Sequence, residues 1–178
     1  MSGPILYTPR LKLRLPKVGD FPLYRGFFSE TGGSSASYGG PLEPHRAFQR
    51  LAADLGHWHL KGFGKFVLER HHTAAPIGGC GIVHPEGWPS HELTWWLLPS
   101  ARGHGFATEA SQAVLDWAYG QLGWSAVETH MRDENTAARA LTARLGGRVI
   151  RREIFPDGIA RDVFALPRAE TAMRERGT

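Results

Sequence analysis

Apolar residues along the chain follow two periods, and the change from one to the other divides the sequence into strands and helices. The alternating leucines of RLKLRLP (10–16) predict a first strand, because a period of two puts every second side chain on one face. Six later segments carry short apolar runs between turn residues and are also predicted to be strands. They are KFVLER (65–70), IGGCGIV (77–83), HELTWWLL (91–98), SAVETHM (125–131), GRVIRREIF (147–155) and IARDVFAL (159–166).

Helical spacing appears between these strands, and the order of elements predicts the fold class. The predicted helices are 20–30, which Asp20 can cap, 44–62, 105–123 and 135–145. In the second, Phe48, Leu51, Leu55 and Trp58 form the apolar stripe. The third is expected to bury Ala107, Ala110, Val114, Trp117 and Ala118. Strands and helices in this order predict one α+β domain, residues 1–178, in which a mixed sheet carries helices on both faces.

Two segments lack periodicity. TGGSSASYGGP (31–41) is rich in glycine and serine and is predicted to be a mobile loop inside the domain. The charged tail, residues 168–178, is expected to fray outside an ordered core of about residues 5–167. Pro156-Asp157-Gly158 is predicted to be the turn of a terminal hairpin.

The composition and net charge limit the kinds of ligand and cellular setting that the sequence indicates. A net charge of +4 suits an anionic ligand, but the basic residues are too scattered to indicate nucleic-acid binding. No apolar run approaches the roughly 20 residues of a membrane span, and no apolar leader is visible. Cys80 is the only cysteine, which excludes a disulfide framework and favours a reducing, cytoplasmic setting.

The stretch RGHG (102–105) lies where a strand pattern gives way to a helix pattern, and its two glycines allow a hinge, a tight turn or a phosphate cradle. A helix N-terminus leaves backbone N–H groups unpaired and attracts anions, and glycine lets an anion approach the backbone. The stretch is not a GxGxxG fingerprint, because Thr108 stands at the third glycine position, and no GK[ST] follows.

RGHGFA has the R-G-x-G-x-A form that resembles the acyl-CoA pyrophosphate loop of the GNAT acetyltransferases. Four segments also resemble the RimJ/RimL-type branch of that superfamily and follow one another in the order expected for it. They are LYTPRLKLR, IGGCGI, TWWLLPSARGHGFATEA and NTAARALTARLGG. The resemblance covers about residues 6–166. It implies a mostly antiparallel sheet of six to seven strands that splays between the fourth (91–98) and fifth (125–131) strands.

The resemblance also implies a binding site for acetyl-CoA as acyl donor. The pantetheine arm is expected to pair with the backbone of Trp95, Trp96 and Leu97 and to contact Asn135. The pyrophosphate is expected on the amides of Arg102, Gly103, His104, Gly105, Phe106 and Ala107, with the Arg102 side chain adding positive charge at the mouth. No metal is expected, because nothing such as HExxH organises the nine histidines.

The implied reaction is direct transfer of the acetyl group to an amine, which must first lose a proton. At pH 7 this costs about 1 kcal/mol for an α-amine and about 4–5 kcal/mol for a lysine-type amine. Glu92, where the branch commonly has Glu, and His130, with an imidazole that titrates in the right range, are the candidate bases. The acid is unassigned, because Thr142 and Ala138 stand where relatives have Tyr and Ser.

Several questions stay open at this stage. The acceptor is expected to be a protein N-terminal amine or a small-molecule amine, and Trp88 is a candidate for contacting it. Because of Thr142 and Ala138, a non-catalytic acyl-CoA sensor is the alternative function. A homodimer is possible. Cys80, in an apolar strand, is predicted to be structural rather than a nucleophile.

Overall fold

The computed structural model describes residues 3–31 and 33–168, which form one eight-stranded sheet with helices on both faces. The strands are β1 (Leu6–Tyr7), β2 (Leu11–Arg14), β3 (Lys65–Arg70), β4 (Pro76–Val83), β5 (Glu92–Leu97), β6 (Val127–His130), β7 (Arg148–Ile154) and β8 (Ala160–Leu166). The helices are α1 (Phe21–Phe28), α2 (Gly33–Ala36), α3 (Pro44–Lys61), α4 (Phe106–Gly120) and α5 (Thr136–Arg144), with 3-10 turns at Val18–Asp20 and Pro99–Ala101. The mixed α+β fold predicted from the sequence is therefore confirmed.

The sheet has one strand more than the six or seven expected, because the N-terminal segment folds back on itself. β1 pairs antiparallel with β2, Leu6 opposite Leu13. The turn between them contains Pro9, which has no N–H for a ladder, and the Thr8 N–H donates to the Leu11 carbonyl at 2.9 Å. The predicted fourth and fifth strands are accordingly β5 and β6.

Side chains of the central strands alternate between two hydrophobic clusters, one on each face. Val67 and Trp96 pack with α1 and α3, whereas Leu68 packs on the other face with α4. Leu51 and Trp58 of the predicted α3 stripe are buried, but Phe48 is 47% exposed and contacts only the edge of Phe21 among aromatic rings. The expectation that Phe48 belongs to the core is wrong, because the buried face of α3 runs through Ala47, Leu51, Asp54 and Trp58, and Phe48 lies to one side of it.

The strand order is β1-β2-β3-β4-β5-β6-β8-β7, and the only parallel neighbours among the described strands are β5 and β6. They share a single register pair, Glu92 with Glu128, whereas β5 is paired with β4 from Glu92 to Leu97. The two strands therefore diverge beyond Glu92, and a wedge-shaped gap opens toward Leu97. This is the splay that the resemblance implies.

Two local expectations are corrected. The segment 31–41, predicted to be a loop, contains the short helix α2, and the Tyr38 hydroxyl contacts the backbone of β5. Asp20 is the N-cap residue of α1, as expected, but its side chain makes no capping hydrogen bond; its carboxylate instead accepts two hydrogen bonds from Arg14, at 2.7 and 2.8 Å, because a buried carboxylate is best satisfied by a charged donor. The predicted tail from 169 onward lies outside the described residues. Over residues 3–31 and 33–168, no helix combines the length and the apolarity that crossing a bilayer requires.

Candidate active site

A cavity of about 680 Å³ occupies the gap between β5 and β6 and continues to the start of α4. It is lined by β5 (Glu92 to Leu97), by the loop and first turn of α4 (Arg102, Gly103, Gly105 to Thr108), and by Thr129 to Arg132. Asn135, Ala138 and Arg144 border it from α5, Tyr38 from the segment after α2, and Arg161 from β8. Of the predicted site residues, only His104 and Thr142 are outside this lining.

Backbone N–H groups at the start of α4, beside the cavity, have no protein acceptors. The amides of Gly103 to Thr108 have no hydrogen-bond acceptor among the described residues, and the first bonded amide of the helix is that of Glu109, which donates to the Gly105 carbonyl at 3.1 Å. Both glycines of RGHG have φ of +78°, which favours residues without a Cβ. Six unpaired donors at the positive end of a helix dipole make an anion site.

Arg102 differs from the sequence expectation in two ways. Its amide donates to the Pro99 carbonyl at 3.2 Å, so the run of free amides begins at Gly103. Its guanidinium is bound to both carboxylate oxygens of Glu30, at 2.7 and 2.8 Å, and this contact lowers the pKa of Glu30. Arg102 is therefore not an unpaired positive charge at the mouth, because Glu30, distant in sequence, neutralises it.

The loop before α4 is held from below by the β1–β2 turn. Arg10 donates from Nη1 to the His104 carbonyl at 2.9 Å, and its guanidinium lies 4.6 Å from the centre of the Phe106 ring. Glu109 in turn accepts from the Arg10 Nε at 2.6 Å and from the Thr8 hydroxyl at 2.6 Å. These contacts fix the backbone on which the free amides lie.

The β6-facing edge of β5 keeps its carbonyls satisfied by side chains rather than by a neighbouring strand. Leu98 donates its N–H to Ile77 of β4, so by alternation the backbone groups of Leu97 and Trp95 point into the gap. The Leu97 carbonyl accepts from Arg102 at 2.9 and 3.1 Å, and the Trp95 carbonyl accepts from the Tyr38 hydroxyl. The Leu93 carbonyl accepts from Thr129 at 2.9 Å.

Trp95 and Trp96 have different environments although both line the cavity. Trp96 is 2% exposed, and its ring packs 4.7 Å from that of Phe27. Trp95 is partly buried against the α4 side of the sheet. Asn135 is the N-cap of α5: its Oδ1 accepts from the Ala138 N–H at 3.1 Å, which leaves its amide nitrogen for the cavity.

The two candidate bases lie together at the closed end of the gap. The Glu92 Oε2 is 3.1 Å from the His130 Nε2, although the angles do not fit a hydrogen bond. The same Oε2 accepts from the Trp88 indole N–H at 2.7 Å, and no described residue donates to Oε1. The centre of the Phe155 ring lies 3.8 Å from that of the His130 ring. The side chains of Glu92 and His130 are each 14% exposed.

Thr142, a residue of α5, is fully buried and does not line the cavity. Its Oγ1 has no hydrogen-bond partner among the described residues. A different hydroxyl is in the gap: that of Tyr38, which also lies 2.9 Å from the Thr94 Oγ1. Burial raises the pKa of Tyr38 above its ordinary value. The sequence analysis did not identify Tyr38. The available signal was that Tyr38 is the one aromatic residue in the glycine- and serine-rich segment 31–41.

Cys80 is buried on the α4 side of the sheet, its Sγ 3.6 Å from the Ser111 hydroxyl. Burial raises the pKa of the thiol to about 12, which is unsuited to a nucleophile. Within the described ranges, no group of three or more histidine, cysteine, aspartate or glutamate side chains could hold a metal ion. His57, for example, is already engaged by the Phe63 carbonyl and the His84 N–H.

A sheet that splays beside a helix start with free amides has the architecture implied by the resemblance to the acetyltransferases. A family model described as an acetyltransferase (GNAT) domain matches residues 10–148. The chain belongs to this family and is an N-acetyltransferase.

Solved structures agree with this assignment. An acetyltransferase from Agrobacterium tumefaciens is 31% identical, with 94% of this chain and 96% of that chain covered and a TM-score of 0.82. A GNAT-family acetyltransferase from Bacillus anthracis shares the fold at 16% identity, with 92% and 98% covered and a TM-score of 0.76. RimL, a ribosomal L7/L12 α-N-protein acetyltransferase in complex with coenzyme A, shares it at 12% identity, with 91% and 97% covered and a TM-score of 0.70.

Proposed function

We propose that this acetyltransferase takes its acetyl group from acetyl-CoA and transfers it directly to a primary amine. The observation that carries the proposal is the run of unpaired amides from Gly103 to Thr108 at the edge of the splayed gap. A diphosphate satisfies these donors, and the gap beside β5 has room for the extended pantetheine arm. The N–H groups of Trp95 and Leu97, which point into the gap, are the donors proposed to pair with it.

Glu92 is the proposed base. Its Oε1 has no donor among the described residues, and it lines the cavity at the end away from α4. The ammonium group gives one proton to Glu92, and the neutral nitrogen attacks the thioester carbonyl carbon. The carbon–sulfur bond then breaks with the electron pair leaving on sulfur, while the nitrogen loses its second proton to water and Glu92 returns its proton to solvent. His130 is proposed to support the carboxylate.

The leaving thiolate needs a proton, and Tyr38 is proposed to supply it in place of Thr142. Tyr38 lines the gap and holds its hydroxyl against the backbone of Trp95, beside which the arm is expected to lie. The phenolate that remains recovers its proton from water. Thr142 is buried outside the cavity lining, which argues against a direct role.

The acceptor is proposed to carry no further positive charges. Glu92 is the only carboxylate among the described lining residues, and of the lining arginines Arg102 and Arg161 are paired with Glu30 and Asp157. A polyamine would bring extra ammonium groups into a cavity that has one carboxylate to pair with them, and a buried charge without a partner is costly. A peptide N-terminus or an amino-acid derivative meets no such penalty. The single, buried cysteine favours the reducing cytoplasm as the setting.

An acceptor screen tests the proposal. The wild-type protein is incubated with acetyl-CoA and with peptides, amino-acid amides and spermidine, and free thiol is measured. Thiol release with an α-amine and little with spermidine is expected; binding of acetyl-CoA without turnover on any amine would contradict the proposal. Glu92→Gln should lower kcat about 100-fold or more, the range for general-base catalysis, with acetyl-CoA affinity unchanged. Glu86→Gln, at a side chain 99% exposed, is the matched control.

A further inference from the structure

We propose that Trp88 is a positioning residue for the reaction: its indole N–H holds one oxygen of Glu92, so that the other oxygen faces the acceptor. The inference rests on the proposed function, in which Glu92 is the base. Sequence reasoning had considered Trp88 as a surface that contacts the acceptor. The structure instead directs its polar atom to the carboxylate, at 2.7 Å from Oε2.

The loop that carries Trp88 is itself held in place. The Trp88 N–H donates to the Pro85 carbonyl at 3.0 Å, and the Trp88 carbonyl lies 3.0 Å from the His84 Nε2. The His84 N–H donates to the His57 Nε2 of α3, also at 3.0 Å. A donor on a loop anchored to a long helix is preorganised, and a hydrogen bond from such a donor costs little ordering entropy.

The indole also packs within a cluster of rings beside the carboxylate. The Trp88 ring lies 5.7 Å from that of His130 and 5.6 Å from that of Phe155. The nearest other carboxylate along the strand pair is that of Glu128, which is occupied by Arg151 and Ser90. Glu92 thus has one oxygen directed by Trp88 and one that is open.

The effect of this arrangement is on orientation. A carboxylate held only by its backbone can rotate about its side-chain torsions, and small displacements of a catalytic group are costly in rate. With Oε2 fixed, Oε1 is the atom that can take the proton of the amine.

The first test observes the contact without activity. In the NMR spectrum of ¹⁵N-labelled wild-type protein, the indole signal of Trp88 is the one that Trp88→Phe removes. In Glu92→Ala this signal should move upfield, because the indole loses its carboxylate acceptor. A signal that does not respond to Glu92→Ala overturns the proposal.

The second test is a double-mutant cycle. Trp88→Phe keeps a ring beside His130 and Phe155 and should lower kcat about tenfold, the factor for one lost hydrogen bond to a charged group, with acetyl-CoA KM unchanged. In a Glu92→Gln background the same change should have no further effect on kcat, since the two residues act together. Trp124→Phe, at an indole stacked on His91, should leave kcat unchanged in both backgrounds.

The outcomes separate the inference from the proposed function. Equal losses of kcat in both backgrounds overturn the positioning role. A Glu92→Gln enzyme with full activity overturns both the base and the action of Trp88 through it. If wild-type protein acetylates no amine, the proposed function and the catalytic role fall together, while the indole signal still reports whether Trp88 holds the carboxylate.

Discussion

The run of free amides from Gly103 to Thr108, the amide cradle, can be tested by one substitution, Gly105→Val, because Gly105 has a left-handed backbone conformation. Gly105 has φ of +78° and is the N-cap of α4, and an added Cβ would lie 3.4 Å from the Arg10 Nη2. A β-branched residue is strained at this φ and relieves the strain by rotating the backbone. That rotation turns the neighbouring amides away from their present directions and shifts the His104 carbonyl, which accepts from Arg10.

The magnitude has two parts. The left-handed conformation costs a side-chain-bearing residue roughly 1–2 kcal/mol of folding stability. This is a minor part of the 5–15 kcal/mol typical of a domain, so the variant should fold. Losing two hydrogen bonds to a charged phosphate, at about 1.5 kcal/mol each, should weaken acetyl-CoA binding by about 3 kcal/mol, or more than 100-fold.

Calorimetric titration with acetyl-CoA measures the affinity, and denaturant unfolding measures the stability. Gly123→Val is the matched control, because Gly123 also has positive φ, of +68°, with open space around it, and does not line the cavity. The control should lose a similar amount of stability and keep its affinity. Wild-type affinity in Gly105→Val, or equal loss in both variants, would refute the assignment of the amides to the phosphates.

Four further outcomes are expected. Tyr38→Phe should lower kcat about 100-fold or more, as for loss of a general acid, with little change in acetyl-CoA affinity, whereas the same change at the exposed Tyr7 should leave kcat unchanged. Full activity in Tyr38→Phe would show that another group is the acid. Cys80 should resist iodoacetamide at pH 8 in native protein and react in denaturant, and rapid native labelling would contradict its burial. Because burial raises the pKa of this thiol to about 12 from about 9, its contribution to stability should be complete below pH 9 and decline as the pH rises toward 12, as unfolding at a series of pH values can measure. Arg10→Lys should weaken acetyl-CoA binding without altering the acceptor KM, because a lysine cannot bind Glu109 and the His104 carbonyl together; equal affinity by calorimetry would show that the turn does not support the cradle.

Local periodicity was sufficient for most of the secondary structure. The inner face predicted for α4 is buried at Ala110, Val114, Trp117 and Ala118, since a helix on a sheet repeats its contacts every three to four residues. The β7–β8 hairpin forms around the predicted turn at 156–158, where proline and glycine set the backbone. The divided N-terminal strand was missed, because Thr8, Pro9 and Arg10 form a turn within a segment that alternates almost throughout.

The candidate site was only partly predictable, because its decisive contacts join residues far apart in sequence. The position of the free amides follows from the RGHG glycines at a strand-to-helix junction, which is a local feature. The pairing of Arg102 with Glu30, 72 positions away, has no local signature. The same is true of the Tyr38 hydroxyl, whose partner at Trp95 is 57 positions distant.

These long-range contacts explain how the chain keeps an open gap in the middle of its sheet. Unpaired strand edges attract other strands, and a buried carbonyl without a donor costs free energy. At β5, side chains from three separate segments donate hydrogen bonds to the carbonyls of the open edge. Thr129 donates to Leu93, Tyr38 to Trp95 and Arg102 to Leu97. Each donor occupies a carbonyl and leaves the adjacent N–H of the same edge available, so the edge is satisfied enough to remain open yet still has donors for an extended ligand. An arm entering the gap must therefore bind mainly through its own carbonyl oxygens, as the two amide carbonyls of pantetheine can.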